Sequence, residues 1–303
     1  MPALFTTGIA IENAHADGIW AACWTKDGSK VITGSNDETI KIWDASSGEM
    51  TAQLADSTYA ITSLDVSVDE TMLLSTSMDN AINVWSLESN TLIKKIPVGA
   101  INAWTARFTK DGKKVISGTD KGTIKLWSIE SGRELETYDT TRPQFTLSVA
   151  ISHDNTLLAC GSDSGIVSVF NVESGRLKYT LMAHSSAVRS LAFSPSSTLL
   201  ISASDDGCIQ AYDMSSGNNI MSLTGHKGPV YSIAPHPNTS LLASGSQDKE
   251  VKLWDLKLKT CVETYNAHSD SVWAVDWQPS ERPRLVSAGD DRMVQLYEPL
   301  AFR

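Results

Sequence analysis

The 303-residue chain predicts an all-β fold, a seven-bladed β-propeller whose last blade is completed by the N-terminal segment. Three observations carry this reading. Aromatic residues end a short alternating segment at Trp43, Trp85, Trp127, Phe170, Tyr212, Trp254 and Tyr297, at successive intervals of 42, 42, 43, 42, 42 and 43 residues. Each interval holds four short runs separated by Gly, Asp, Asn, Ser and Pro, the punctuation of strands and tight turns. No sustained helical period occurs anywhere. One four-stranded sheet cannot bury its own faces, so neighbouring units must stack, and four strands per unit at this period bend the stack into a ring.

The strands of the first unit read in order. Trp20–Thr25 alternates and Lys26-Asp27-Gly28 turns the chain. Val31–Ser35 follows, with a turn at Asn36-Asp37-Glu38. Thr39–Asp44 alternates again, Ser46-Ser47-Gly48 turns, and Met50–Leu54 ends the unit. The third strands correspond between units, as in Ile40-Lys41-Ile42-Trp43-Asp44 and Val251-Lys252-Leu253-Trp254-Asp255. After Tyr297 only Glu298 to Arg303 remain, too few for a turn and a fourth strand, whereas Leu4–Glu12 has no place in the first unit. That segment is predicted to supply the missing strand of the seventh blade, which removes two sheet edges. A single domain over residues 1–303 is expected.

Composition narrows the function classes. A net charge of −10 lacks the basic face of a general nucleic-acid binder. No apolar run reaches the roughly 18 residues of a membrane-spanning helix. Met1–Trp20 contains no Lys or Arg and no long apolar core, so no secretory signal is expected. Cys23, Cys160, Cys208 and Cys261 lie far apart in apolar segments and are expected to be reduced core thiols.

The dipeptides Trp43-Asp44 and Trp254-Asp255, with His226 of a Gly-His pair 28 residues before Trp254, resemble the signatures of WD repeats. The resemblance implies a hydrogen-bonded tetrad in each well-formed blade. Its members are His15, Thr33, Asp37 and Trp43 in the first blade and His226, Ser244, Asp248 and Trp254 in the sixth. The fifth (His184, Ser202, Asp206) and seventh (His268, Ser287, Asp291) keep three members and place Tyr212 and Tyr297 where Trp stands elsewhere. The physical logic is independent of the resemblance. A buried carboxylate must be paired, and an imidazole with one donor and one acceptor can link it to a hydroxyl. In the second to fourth blades Ser57, Gly99 and Thr141 or Arg142 stand at the His position, and Lys121 and Ser164 at the Asp position of the third and fourth. These blades are expected to rely more on apolar packing, and to open more readily. A Ser-His-Asp set invites a hydrolase reading, but it recurs at a fixed offset, as a structural device does and a catalytic site does not. His153 and His236 lie in or near turns and are expected to be solvated. No Gly-x-Ser-x-Gly elbow, phosphate loop, Cys-x-x-Cys pair or His-Glu-x-x-His motif occurs. No catalytic residue, metal or cofactor is expected.

Strand alternation places the loop before each first strand and the turn between the second and third strands on one face. At the start of the first strands stand Trp20, Thr62, Trp104, Leu147, Arg189, Tyr231 and Trp273, with Phe145 nearby. The facing turns carry Asn36, Met78, Asp120, Asp163, Asp205, Gln247 and Asp290. This rim is predicted to bind a protein partner. Its aromatic residues suit a bulky apolar anchor, and Asp120, Asp163, Asp205 and Asp290 suit an Arg.

Asn102-Ala103-Trp104-Thr105, the Phe145–Ala150 stretch, and Ser204-Asp205-Asp206-Gly207 with Tyr212-Asp213 resemble the WD-repeat subunits of superkiller (Ski) complexes. So does the distribution of missing histidines. That resemblance implies a non-enzymatic scaffold joining a tetratricopeptide-repeat subunit to a helicase, which feeds messenger RNA to the cytoplasmic exosome for 3′-to-5′ decay. It also implies a second assembly, the nuclear RNA polymerase II-associated factor (Paf1) complex. Partners of that family present a Gln-Arg-x-x-hydrophobic motif. The chain is accordingly expected in cytoplasm and nucleus, monomeric in isolation, bound to proteins and directly to neither nucleic acid nor membrane. The alternative is an adaptor of another complex, such as a ubiquitin-ligase substrate receptor. That class shows an Arg soon after the Trp-Asp pair, where Ser46, Glu88, Glu130, Glu173, Ser215, Lys257 and Leu300 stand here.

Overall fold

The computed structural model describes residues 4–54, 59–79, 81–98, 103–140 and 142–300. Ser57, Gly99, Asn102 and Thr141 lie outside the described residues. Seven antiparallel sheets of four strands follow one another along the chain, and no helix occurs among the described residues. In the first blade the strands are Ile19–Trp24, Lys30–Ser35, Ile40–Asp44 and Met50–Leu54, each within one residue of the sequence reading. The turns are chemically specified. Asp27 accepts hydrogen bonds from the hydroxyls of Thr25 and Ser29 and the N–H of Ser29, while Gly28 takes the left-handed φ of +68°. Asp69, Asp111 and Asp154 build the same turn in the next three blades.

The ring closes as predicted. Phe5–Ile11 pairs antiparallel with Val294–Pro299, Phe5 opposite Pro299 and Ile11 opposite Val294, and becomes the outer strand of the seventh blade. Phe5 is buried, with its ring centroid 5.3 Å from that of Trp277.

The apolar cores lie between blades. Ile32, Ile40 and Ile42 of the first blade pack on Leu64, Val66, Leu73 and Trp85 of the second. Ala203, Ile209 and Ala211 of the fifth pack on Ile233, Leu242 and Trp254 of the sixth. Val286, Ala288, Val294 and Leu296 of the seventh meet Ile19, Trp24, Val31 and Trp43 of the first, so the last interface is built like the others. The aromatic residue that ends each third strand is the part of a blade that presses on the blade before it.

The tetrads join the loop before a blade's first strand to its second and third strands and the turn between them. His15 Nδ1 lies 2.9 Å from Asp37 Oδ2, and its Nε2 lies 2.8 Å from Thr33 Oγ1, which accepts the Trp43 indole N–H at 2.8 Å. The network assigns the proton to Nδ1, leaving Nε2 to accept from the hydroxyl. His226, Ser244, Asp248 and Trp254 repeat the arrangement at 2.7–2.8 Å. His184 joins Asp206 to Ser202, and His268 joins Asp291 to Ser287. Tyr297 takes the place of Trp, 3.0 Å from Ser287 Oγ, but the Tyr212 hydroxyl donates instead to Gln210. Burial lowers the proton affinity of His15 and His184 despite the attraction of their carboxylates. Burial also opposes ionisation of Asp37, Asp206 and Asp291, but their hydrogen bonds and imidazole partners outweigh it and hold these carboxyls below the usual range.

The second and third blades keep parts of the tetrad, and two expectations, on His236 and on two cysteines, are corrected. The second blade adds polar bonds to its apolar packing. Trp85 donates to Ser75 at 2.9 Å, and Lys95 reaches Asp79 at 2.8 Å. The third blade keeps the Trp127–Ser117 bond at 2.9 Å, whereas in the fourth Phe170 packs edge-on against Tyr138. His236 is not solvated. It is 5% exposed, its Nδ1 accepts the N–H groups of Asn238 and Thr239, and its ring lies 4.7 Å from that of Trp277. It fills the turn position held by Ser67 and Ser152 in earlier blades. Cys23 and Cys160 are buried thiols as expected, but Cys208 is half-buried and Cys261 exposed on an outer strand.

Phe5→Ala should lower unfolding free energy by about 3–5 kcal/mol, measured by urea denaturation, because it empties the closing interface. His226→Ala leaves Asp248 and Ser244 buried without their partner and should cost about 3 kcal/mol, whereas His153→Ala on the surface should cost under about 0.5 kcal/mol. Burial lowers the His236 pKa to about 4, so the folded protein binds fewer protons than the unfolded chain below the free-imidazole value of about 6.5. Stability should therefore be full above pH ~6.5 and fall as pH drops toward 4. His236→Ser, which keeps the turn acceptor, should flatten that slope in a melting-temperature series.

Candidate functional site on the aromatic rim

The first strand of a blade does not run straight into its rim. The pairing of first and second strands shifts register between Ile19 and Ala21, Ile61 and Ser63, Thr146 and Ser148, Val188 and Ser190, Val230 and Ser232, and Val272 and Ala274. The residue left between each pair is Trp20, Thr62, Leu147, Arg189, Tyr231 or Trp273. A β-bulge re-aims one side chain, and here it re-aims the rim residue of six blades. Trp104 of the third blade lies ahead of a shortened strand, Ala106–Phe108. The face assignment also holds. The N–H groups of Asn36, Asp163, Asp205, Gln247 and Asp290 donate to the carbonyls of Gly18, Phe145, Ala187, Pro229 and Ser271, tying each turn to the loop before its blade.

The bulged aromatics meet one another. Tyr231 and Trp273 stack at 4.0 Å with their planes 7° apart. Trp273 lies 5.7 Å from Trp20, which lies 6.3 Å from Trp104 across the position of Thr62. Four rings from the sixth, seventh, first and third blades thus make one aromatic arc around the channel mouth. All four remain partly exposed. Tyr59 and Met78, 53% and 47% exposed, extend apolar surface on the same face of the second blade. Sequence reasoning placed Met78 on this rim without choosing it as a contact and missed Tyr59, although both sit in the loops that carry the chosen residues.

The acidic part of the rim differs from expectation. Asp205 holds Arg189 through two guanidinium nitrogens at 2.8–3.0 Å, and Asp290 accepts the Trp273 indole N–H at 2.7 Å. These two carboxylates fix neighbouring rim side chains rather than standing ready for a partner's Arg. Asp163 is exposed and Asp120 half-buried. Leu147 is 9% exposed and Phe145 half-buried, so neither adds much to the arc.

Beneath the rim runs a channel of about 480 Å³ lined by the seven first strands. Its hydroxyls and carboxylates stitch blades together. The N–H groups of Ile233 and Val275 donate to Ser190 and Ser232 of the preceding blades, and those of Phe108 and Trp24 donate to Asp65 and Asp276. The Ser-His-Asp sets are closed to a substrate, because Thr33, Ser202, Ser244 and Ser287 are all 0% exposed. His226, Asp248 and Glu250 offer ligand atoms within 4.8 Å of one another, the one such group among the described residues. His226 is already bonded to Asp248 there, and Glu250 is paired with Lys252 at 2.7 Å.

Comparison with known proteins agrees with this geometry. The family described as WD domain, G-beta repeat matches at residues 8–44, 48–86, 96–128, 136–171, 175–213, 217–255 and 259–298. A stretch of 34 residues is 50% identical to U3 small nucleolar RNA-associated protein 12 of Saccharomyces cerevisiae, covering 11% of this chain and 4% of that protein. Another, of 38 residues, is 53% identical to WD repeat-containing protein VIP3 of Arabidopsis thaliana, covering 11% of this chain and 12% of that protein. Propellers of this kind are typically non-enzymatic platforms for protein interaction. With one repeat match on each of its seven blades, the chain belongs to the WD-repeat family.

Proposed function

We propose that the chain is a non-enzymatic scaffold that holds a protein partner on the aromatic rim, as the WD-repeat subunit of a Ski-like complex. In this reading the rim docks the tetratricopeptide-repeat subunit, and the assembly includes the helicase that supplies the cytoplasmic exosome with messenger RNA. A nuclear pool serves the Paf1 transcription elongation complex. The observation that carries the proposal is the continuous arc of Tyr231, Trp273, Trp20 and Trp104. Rigid, partly exposed aromatic rings are the residues on which interface energy concentrates. The bond from Trp273 to Asp290 and the pairing of Arg189 with Asp205 hold the surface in place before a partner arrives, which lowers the ordering cost of binding. An apolar side chain of the partner settles on the rings, and exposed Asp163 remains available for an adjacent Arg.

Trp104→Ala and Trp273→Ala should each weaken binding to the purified tetratricopeptide-repeat subunit by about 2 kcal/mol, roughly thirtyfold, in calorimetric titration. An unchanged far-ultraviolet spectrum shows that the variants remain folded. Unaltered affinity in both would remove the rim from the interface, and recovery of a different stable partner from cells by the tagged chain would replace the Ski-like assignment.

A further inference from the structure

The opposite mouth of the channel has a different chemistry. Six residues past each rim position the chain enters the turn between first and second strands, at Lys26, Val68, Lys110, His153, Pro195, Pro237 and Pro279. Lys26, Val68, Lys110 and His153 line the opening, and Arg107 lies deeper in the wall. The basic groups are thus gathered on the side formed by the first, third and fourth blades, with Val68 of the second between the two lysines. We infer that this mouth binds a small polyanion carrying two or more phosphate groups, bridged between Lys26 and Lys110 with Arg107 beneath.

The carboxylates of the surrounding turns stay outside the channel lining, although the field of Asp154 reaches Lys110. Asp27, Asp69, Asp111 and Asp154 are turned into their own turns, each accepting hydroxyl and N–H bonds there, and none lines the channel. Asp65 and Asp276 do line it. They are engaged by the N–H groups of Phe108, at 2.7 Å, and of Trp24 and Trp277, at 3.1 and 2.9 Å, and burial favours the protonated form of Asp276. Arg107 is held against the wall by bonds from Nη1 to Ser63 Oγ and to the carbonyls of Leu64 and Ala106. The ion pairs formed among the described residues use other cations: four histidines, Lys95, Lys125, Arg189, Lys252 and Arg284. Among the described residues no carboxylate lies within ion-pair distance of Lys26, Lys110 or Arg107, while burial lowers the proton affinity of Lys110 against the opposing field of Asp154.

The lysines act on common neighbours. Burial first, then the fields of Lys110 and Lys26, lowers the proton affinity of His153, against the opposing pull of Asp154. Lys26 also acts on Asp276 inside the channel. Two lysines lining one opening are an arrangement a polyphosphate can satisfy with charge-assisted hydrogen bonds. A single phosphate at either lysine leaves the other unpaired.

Sodium tripolyphosphate titrated into the full chain at ~150 mM salt tests this, followed by calorimetry and by the imidazole resonances of His153. The expected result is saturable binding at least about tenfold tighter than that of inorganic phosphate. Saturation should also raise the His153 pKa, as the bound anion cancels the lysine fields. Lys26→Gln with Lys110→Gln should weaken binding at least about tenfold, while Lys178→Gln on an outer strand with Lys259→Gln in the turn before another leaves it unchanged. Equal affinity for phosphate and tripolyphosphate, an unmoved His153, or undiminished binding by the Lys26/Lys110 variant would each overturn the site. These readouts do not involve the aromatic rim, so they stand or fall apart from the partner assignment.

Discussion

Each blade is a sheet with two apolar faces and no helix among the described residues to cover either. Its only remedy is another blade. That constraint explains the spacing of the aromatics, because Trp43, Trp85, Trp127, Phe170, Tyr212, Trp254 and Tyr297 are the residues that fill the gap to the preceding sheet. It also explains the N-terminal strand. A stack of seven has two naked ends unless it bends shut, and Phe5–Ile11 makes the shut state a continuous hydrogen-bonded sheet.

The same geometry decides where function can sit. Inner strands crowd at the axis, and their side chains either stitch blades together or point to an opening. Ser190, Ser232, Asp65 and Asp276 do the first, accepting amide protons from the next blade where no backbone ladder exists. The bulged positions do the second. On one face they gather aromatics, and on the other the tight turns deliver lysines. The two faces are therefore chemically unlike although one repeat unit builds both.

The tetrads illustrate how a polar network can be structural. Each couples a turn carboxylate to a buried hydroxyl through an imidazole, and in the first, sixth and seventh blades the hydroxyl also meets an indole or phenol; this satisfaction is what makes its burial tolerable. The second blade reaches the same end with Lys95 on Asp79, and the fourth abandons the network for Phe170 on Tyr138. A repeat fold accepts such variation because each interface is judged separately.

Much of this was legible in one dimension. The period, the four strands per unit, the closing strand and the tetrad members follow from local rules: alternation, turn residues and a fixed offset between partners. The rim residues were legible too, because strand direction assigns each loop to a face. Residues whose surroundings come from distant blades were not. His236 looks like a turn residue until Trp277 of the next blade is found 4.7 Å away. Asp205 and Asp290 look like free carboxylates until bulges swing Arg189 and Trp273 onto them. The sequence by itself determined the architecture, since a repeat writes its contacts at constant spacing. Only the tertiary structure decided which charges are already spent and which remain available, because ion pairing and ring stacking are settled across blades, where chain distance carries no information.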